Sequence, residues 1–145
     1  MGSLIMSDLA SKSTQTLEDA VRIIEAYLDA SMIPDPVTAG QYIAPDLIFT
    51  FTGGRRFDHP RDAAAFNAKR YQWVKKKRER SDASQSGNDI IVYNIGTLYG
   101  AWPDGTSFEG NRYVDRFVIR NGLIVKMDVW NDSAERLLVR HDIDA

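Results

Sequence analysis

The chain has 145 residues, 43% of them hydrophobic and 26% charged, the make-up of one soluble domain long enough to bury a real core. That composition excludes a disordered acidic chain, a collagen-like repeat and a coiled-coil rod. The balance of 18 Lys+Arg against 20 Asp+Glu, net −2, gives no global pull toward nucleic acid or an acidic membrane.

With no cysteine in the chain, disulfides, Cys-ligated zinc, iron–sulfur clusters and thiol nucleophiles are all removed. The two histidines, His59 and His141, are far apart and show no ligand spacing, so neither a metal site nor another cofactor is expected. No apolar run approaches the roughly 18 residues of a membrane span, and Met1 to Ser13 lacks the pattern of a signal peptide. A cytoplasmic, single-domain protein is the expectation.

Residues 1–15 read as a flexible leader and 16–145 as the domain. Thr16 has the chemistry of a helix N-cap, with Asp19 three residues on. Leu17, Val21, Ile24, Tyr27 and Leu28 then form one apolar helical stripe that ends before Pro34. Asp35 caps a short second helix opened by Pro36 and carried to Pro45. Leu47 to Thr52 reads as a strand, ended by Gly53-Gly54. A third helix is predicted from Pro60 to about Val74, with Ala63, Phe66, Arg70 and Trp73 on one face. Strand-like runs follow over 77–85, 88–102, 106–120 and 123–131, separated by Ser86-Gly87, Pro103-Asp104-Gly105 and Asn121-Gly122. Asp132, with Glu135 three residues on, caps a last short helix. The order α-α-β-α-β-β-β-β places helices on one face of a largely antiparallel sheet, an α+β domain.

Hairpin register decides which side chains meet. A two-residue loop at Asn121-Gly122 would set Asp115 against Asp128. A three-residue loop sets Asp115 opposite Met127 and Phe117 opposite Val125, and separates apolar from charged side chains. The same logic at Pro103-Asp104-Gly105 sets Tyr93 opposite Asp115, Ile95 opposite Tyr113, Thr97 opposite Asn111 and Tyr99 opposite Glu109. One face then carries Tyr93, Tyr99, Asn111, Tyr113, Asp115, Phe117, Met127, Val129 and Asn131. That composition suits a small-molecule pocket and equally a core with a few satisfied polar groups.

Asp115 stands out, a carboxylate in mid-strand between Tyr113 and Phe117. It reads either as a structural aspartate bonded to Tyr93 or a loop amide, or as an acid kept neutral by apolar surroundings, with its pKa raised and no cation beside it. Arg112 and Arg116 point the other way. The basic run Lys69, Arg70, Lys75, Lys76, Lys77, Arg78 and Arg80 reads as a solvated helix end rather than a nucleic-acid contact.

The element order, the Asp35-Pro36…Tyr42…Pro45-Asp46 opening and the Val114-Asp115-Arg116-Phe117…Asn121-Gly122-Leu123-Ile124 hairpin resemble the NTF2-like superfamily, and within it the SnoaL-like polyketide cyclase and ketosteroid isomerase group. The resemblance implies a cone-shaped fold, a curved, mostly antiparallel sheet wrapped around three helices. In ketosteroid isomerases a helix tyrosine and a protonated strand aspartate form an oxyanion hole, the handling of a neutral carboxyl used as a standard example. Tyr27 and Asp115 fall at or near those positions. The general-base aspartate is unmatched, since Phe51 and Thr52 stand there. The implied reading is a cofactor-free isomerase or lyase acting on a small apolar carbonyl compound, with Asp115 and Tyr27 catalytic. Phe51, Phe66, Trp73, Tyr93, Tyr99, Asn111, Tyr113, Phe117, Met127, Val129 and Asn131 would form the pocket. The alternative is a non-catalytic ligand-binding or association module. No nucleic-acid or membrane partner is expected. A homodimer is, through an outer sheet face bearing Val92, Leu98, Phe108, Val114, Val118 and Trp130.

Overall fold

The computed structural model describes residues 15–141. The expected leader lies outside them except for Gln15, which donates to the Ile119 carbonyl at 3.0 Å. Helix α1 (Leu17–Met32) starts where Thr16 Oγ1 accepts the Asp19 N–H at 3.0 Å, and it buries Ala20, Ile24, Tyr27 and Leu28. Helix α2 (Pro36–Gly40) is capped by Asp35, which accepts from the Thr38 N–H and hydroxyl.

Strand β1 (Ile43–Phe51) begins earlier than predicted and contains Pro45. The proline is tolerated because the β1 ladder is interrupted between Ile43 and Ile48, so its missing N–H is not needed there. A 3-10 turn, Thr52–Gly54, leads to the short β2 (Arg55–Phe57). Helix α3 (Pro60–Arg70) has His59 as its N-cap, with Nδ1 accepting the Arg61 N–H. It ends four residues short of the predicted Val74. Gln72 N–H donates to the Ala101 carbonyl, and Trp73 and Val74 pair with Ala101 and Gly100 as the start of a strand. Sheet pairing outweighs the helical spacing of these residues.

Strands β3 (Trp73–Ser86), β4 (Asp89–Ala101), β5 (Ser107–Arg120) and β6 (Leu123–Asn131) follow, then helix α4 (Ser133–Arg140). The six strands form one open sheet in the order β2-β1-β6-β5-β4-β3, antiparallel except for the β1–β6 pair. Helix α1 packs across β3 and β4. Asp132 does not cap α4 with its side chain, which instead pairs with Arg112 at 2.6 Å; Asn131 Oδ1 accepts the Ser133 N–H.

Both hairpin registers differ from expectation. At the β5–β6 turn, Arg120 pairs with Leu123 across a two-residue loop, and a bulge at Val125 then sets Asp115 opposite Val129 and Phe117 opposite Met127. The net shift of two residues leaves the same β5 and β6 side chains facing inward, with Ile124 in place of Val125. At the β4–β5 hairpin the closing pairs are as expected. An extra residue then enters β5 beside Gly110, whose φ of +79° is that of a glycine bulge. The slip is one residue, so the inner side of β4 carries Ile90, Val92, Asn94 and Leu98. Tyr93 and Tyr99 lie on the outer face, 38% and 41% exposed.

The inner face supports two apolar clusters. One joins α1 to β1, β4, β5 and β6 through Ile24, Leu28, Phe49, Val92, Phe117 and Met127. The other gathers Tyr71, Leu98, Trp102, Phe108 and Tyr113, with the Trp102 and Phe108 rings 4.4 Å apart. Val92, Leu98 and Phe108, expected on the outer face, are therefore inside. Among the described residues no helix is long and apolar enough to cross a membrane.

Candidate functional site

Between the two clusters lies a cavity of about 420 Å³, lined by members of both, within the roughly 300–1,000 Å³ common for small-molecule sites. Its helical wall comes from α1 (Tyr27, Leu28, Ser31) and from the Pro60, Ala63, Ala64, Asn67, Ala68 stripe of α3. The alanines leave the space that larger side chains would fill. Its sheet wall comes from Phe49 and Phe51 of β1, Lys76 of β3, Leu98 of β4, Tyr113, Asp115 and Phe117 of β5, and Met127, Val129 and Asn131 of β6.

Asp115 is 2% exposed. Its partner is Lys76, whose ammonium donates to Oδ2; the two side chains are 10% and 2% exposed. Sequence reasoning placed Lys76 on a solvated helix end and left Asp115 without a cation. In the structure Lys76 lies opposite Leu98, an inward position, with its Nζ 4.5 Å from the centroid of the Tyr113 ring. Strand alternation over Val74, Lys76 and Arg78 was the signal that could have found it. Burial pushes the Asp115 carboxyl above the ordinary carboxylate range, and the Lys76 charge and hydrogen bond pull against that without cancelling it. Oδ1 of Asp115 is buried and has no partner among the described residues.

Tyr27 lines the cavity from α1. Burial raises its phenol, and the Asp115 charge adds to this. Tyr113 commits its hydroxyl elsewhere, donating to Asn94 Oδ1 at 2.5 Å, while Asn94 Nδ2 donates to Ser81 at 2.9 Å. Asn94 pairs with Asp115 across the strands, where Tyr93 was expected.

Of the other pocket candidates, Phe51, Trp73, Phe117, Met127, Val129 and Asn131 face the same cavity. Phe66 does not; it packs on Phe51 and Phe57 and carries the Arg55 and Arg70 guanidiniums over its ring. Asn111 is buried beside Ser133, to which its Nδ2 donates at 3.3 Å, with Tyr71 on the same hydroxyl at 2.6 Å. Tyr93 and Tyr99 are on the opposite side of the sheet. Within the rest of the basic run, Lys75 donates to the Met32 carbonyl, Arg78 pairs with Glu25 and Asp29, and Arg80 with Asp82. Arg112 and Arg116 point outward to Asp132 and Asp128. Sequence reasoning missed Asn67 and the alanine stripe, although the spacing 60, 63, 64, 67, 68 is itself helical.

Among the described residues no three His, Asp or Glu side chains converge as metal ligands would. Among the described residues Asp115 is the only carboxylate that lines the cavity, and no histidine joins it. The arrangement can present a buried acid, steadied by a cation, to an apolar guest.

No family model and no curated protein matches the chain. Solved structures do. An NTF2-like protein of unknown function from Burkholderia pseudomallei superposes with a TM-score of 0.66 at 19% identity, over 82% of this chain and 95% of that one. A SnoaL-like protein from Jannaschia sp., assigned as a polyketide cyclase, gives 0.65 at 16% identity over 86% and 94%. TerC, crystallised with polyporic acid, gives 0.63 at 16% identity over 86% and 97%. The fold is thus NTF2-like.

Proposed function

We propose that the cavity binds a small, largely apolar carbonyl compound and that Asp115, held by Lys76, exchanges a proton with its oxygen in a cofactor-free isomerase or lyase reaction. The observation that carries this reading is a buried Asp115–Lys76 pair with one carboxyl oxygen unpartnered, opening on an apolar cavity of about 420 Å³. The raised carboxyl can hold a proton that an ordinary aspartate would have lost. Passing it from Oδ1 to the carbonyl oxygen while solvent water removes the α-proton gives the enol and leaves a carboxylate that the Lys76 ammonium stabilises in a medium of low polarity. As the enol returns to the ketone, that carboxylate takes back the hydroxyl proton and solvent returns a proton to the α-carbon. Tyr27 is the second hydrogen-bonding group. The polyketide-cyclase assignments of structural neighbours and the co-crystallisation of TerC with polyporic acid support a guest of this kind.

A second reading, binding without turnover, is favoured by one observation: among the described residues no second carboxylate or histidine lines the cavity, Phe51 and Thr52 standing where a base would. Incubation with an acetylnaphthalene in deuterated buffer separates the two. The expected result is binding by calorimetry, together with deuterium entering the methyl group faster than in buffer. Asp115→Asn should abolish the exchange and keep binding. Binding without accelerated exchange would establish the second reading, and absence of binding would overturn both.

A further inference from the structure

Besides Asp115, one lining residue holds a buried acceptor that no described residue uses. Asn67 sits on α3 among Pro60, Ala63, Ala64 and Ala68, otherwise an apolar wall. Its Oδ1 is buried and has no hydrogen-bond partner among the described residues. The helix does not need this side chain, because the end of α3 is closed by the main chain, where the Tyr71 N–H donates to the Asn67 carbonyl at 2.9 Å. A buried amide oxygen without a donor is costly, and leucine or alanine would fit the stripe without that cost. Water can serve Oδ1 while the cavity is empty, but a guest that fills the space must replace that donor with its own. Asn111 also has a partnerless Oδ1, but it lies outside the cavity lining and its amide is tied to Ser133.

We infer that Asn67 is a specificity-determining residue whose Oδ1 accepts a hydrogen bond from a hydroxyl or N–H group of the guest. The guest is then bifunctional, with its carbonyl oxygen on the Asp115 side and a donor directed at α3. A hydroxy-ketone fits this description and a plain ketone or its methyl ether does not. The inference rests on the carbonyl-binding reading of the cavity. It adds a second polar anchor from a different element, which fixes the direction in which the guest lies.

The test measures affinities of the intact protein for an acetylnaphthalene, for three acetylnaphthols that differ in the position of the hydroxyl, and for their methyl ethers. At least one acetylnaphthol should bind about tenfold or more tightly than its own methyl ether. Asn67→Leu should erase that preference, each acetylnaphthol then binding within about twofold of its own methyl ether. Asn67→Asp keeps an acceptor at the site and should retain the preference, and its circular dichroism and melting curve guard against a folding artefact. Equal affinities of every naphthol and its ether, or a preference that survives Asn67→Leu, would overturn the role of Asn67 while the cavity reading stands. Tighter binding of the ethers would show the amide donating and overturn it too. Failure of acetylnaphthalene itself to bind would remove the cavity reading and this inference together.

Discussion

Asp115 and Lys76 are each other's condition for being where they are. A lone buried carboxylate would take up a proton, and a lone buried ammonium would be left uncompensated. With the partner present, Asp115→Asn strands the Lys76 charge beside the Tyr113 ring, and a loss of about 3–5 kcal/mol is expected, largely restored by adding Lys76→Met. Destabilisation of the single variant therefore does not separate a structural pair from a working acid; the pH dependence does. The folded carboxyl is raised, so the folded state binds that proton more tightly than the unfolded chain. Its contribution is fully present below the unfolded pKa of about 3.9 and is lost as pH rises through the folded value. Lys76→Met removes the opposing charge and pushes the carboxyl further up, extending the loss to higher pH. Urea denaturation at about pH 5 and about pH 8 should show the deficit of Lys76→Met growing with pH, by about 1.4 kcal/mol per unit of additional rise. A deficit that stays constant across that range would mean the carboxyl does not change charge there.

At the level of elements, one glycine decides which side of β4 faces the cavity. Gly110 has φ +79°, a conformation that costs other residues about 1–2 kcal/mol. Gly110→Ala should lower stability by about that amount in thermal or urea unfolding, and Gly110→Asn by less, since asparagine tolerates this region better. Equal stability of all three would show that the bulge does not depend on the glycine. The bulge also marks the limit of what can be read from the chain. Caps and stripes at Thr16, Asp35 and Leu17–Leu28 are local chemistry, and they were legible. The inward set Tyr113, Asp115 and Phe117 survived a wrong register because the error was two residues and side chains alternate. Tyr93 and Tyr99 did not survive, because a single-residue slip reverses a strand, and both tyrosines suit either face. Lys76 was hidden by its neighbours: a run of cations looks solvated until strand geometry turns one of them inward. Asn67 was hidden because the periodic stripe to which it belongs is made of alanines, which announce neither a core nor a site.

For the molecule as a whole, the corrected β4 register moves the expected self-association surface without removing it. Phe108, Val92 and Leu98 belong to the inside, so they cannot take part. The outer face instead carries the cross-strand row Ile95, Val114 and Trp130, with Tyr93, Arg116 and Asp128 in the next row. Trp130 is 54% exposed and Tyr93 38%. A tryptophan beside β-branched residues on an outer sheet face, bordered by an Arg–Asp pair, is the make-up of an interface centre with a polar rim. Pairing about a two-fold axis would let the same row cover itself, because such an axis matches a patch to its own copy. Light scattering at micromolar concentration should therefore give the mass of a dimer. Trp130→Glu should shift it to the monomer by placing like charges at the centre, without disturbing the cavity on the other side of the sheet. Binding of acetylnaphthalene to that monomeric variant should match the parent, since the Trp130 row lies on the side of the sheet away from the cavity. A monomeric parent with Trp130 and Tyr93 open to a fluorescence quencher would mean that this face meets water alone.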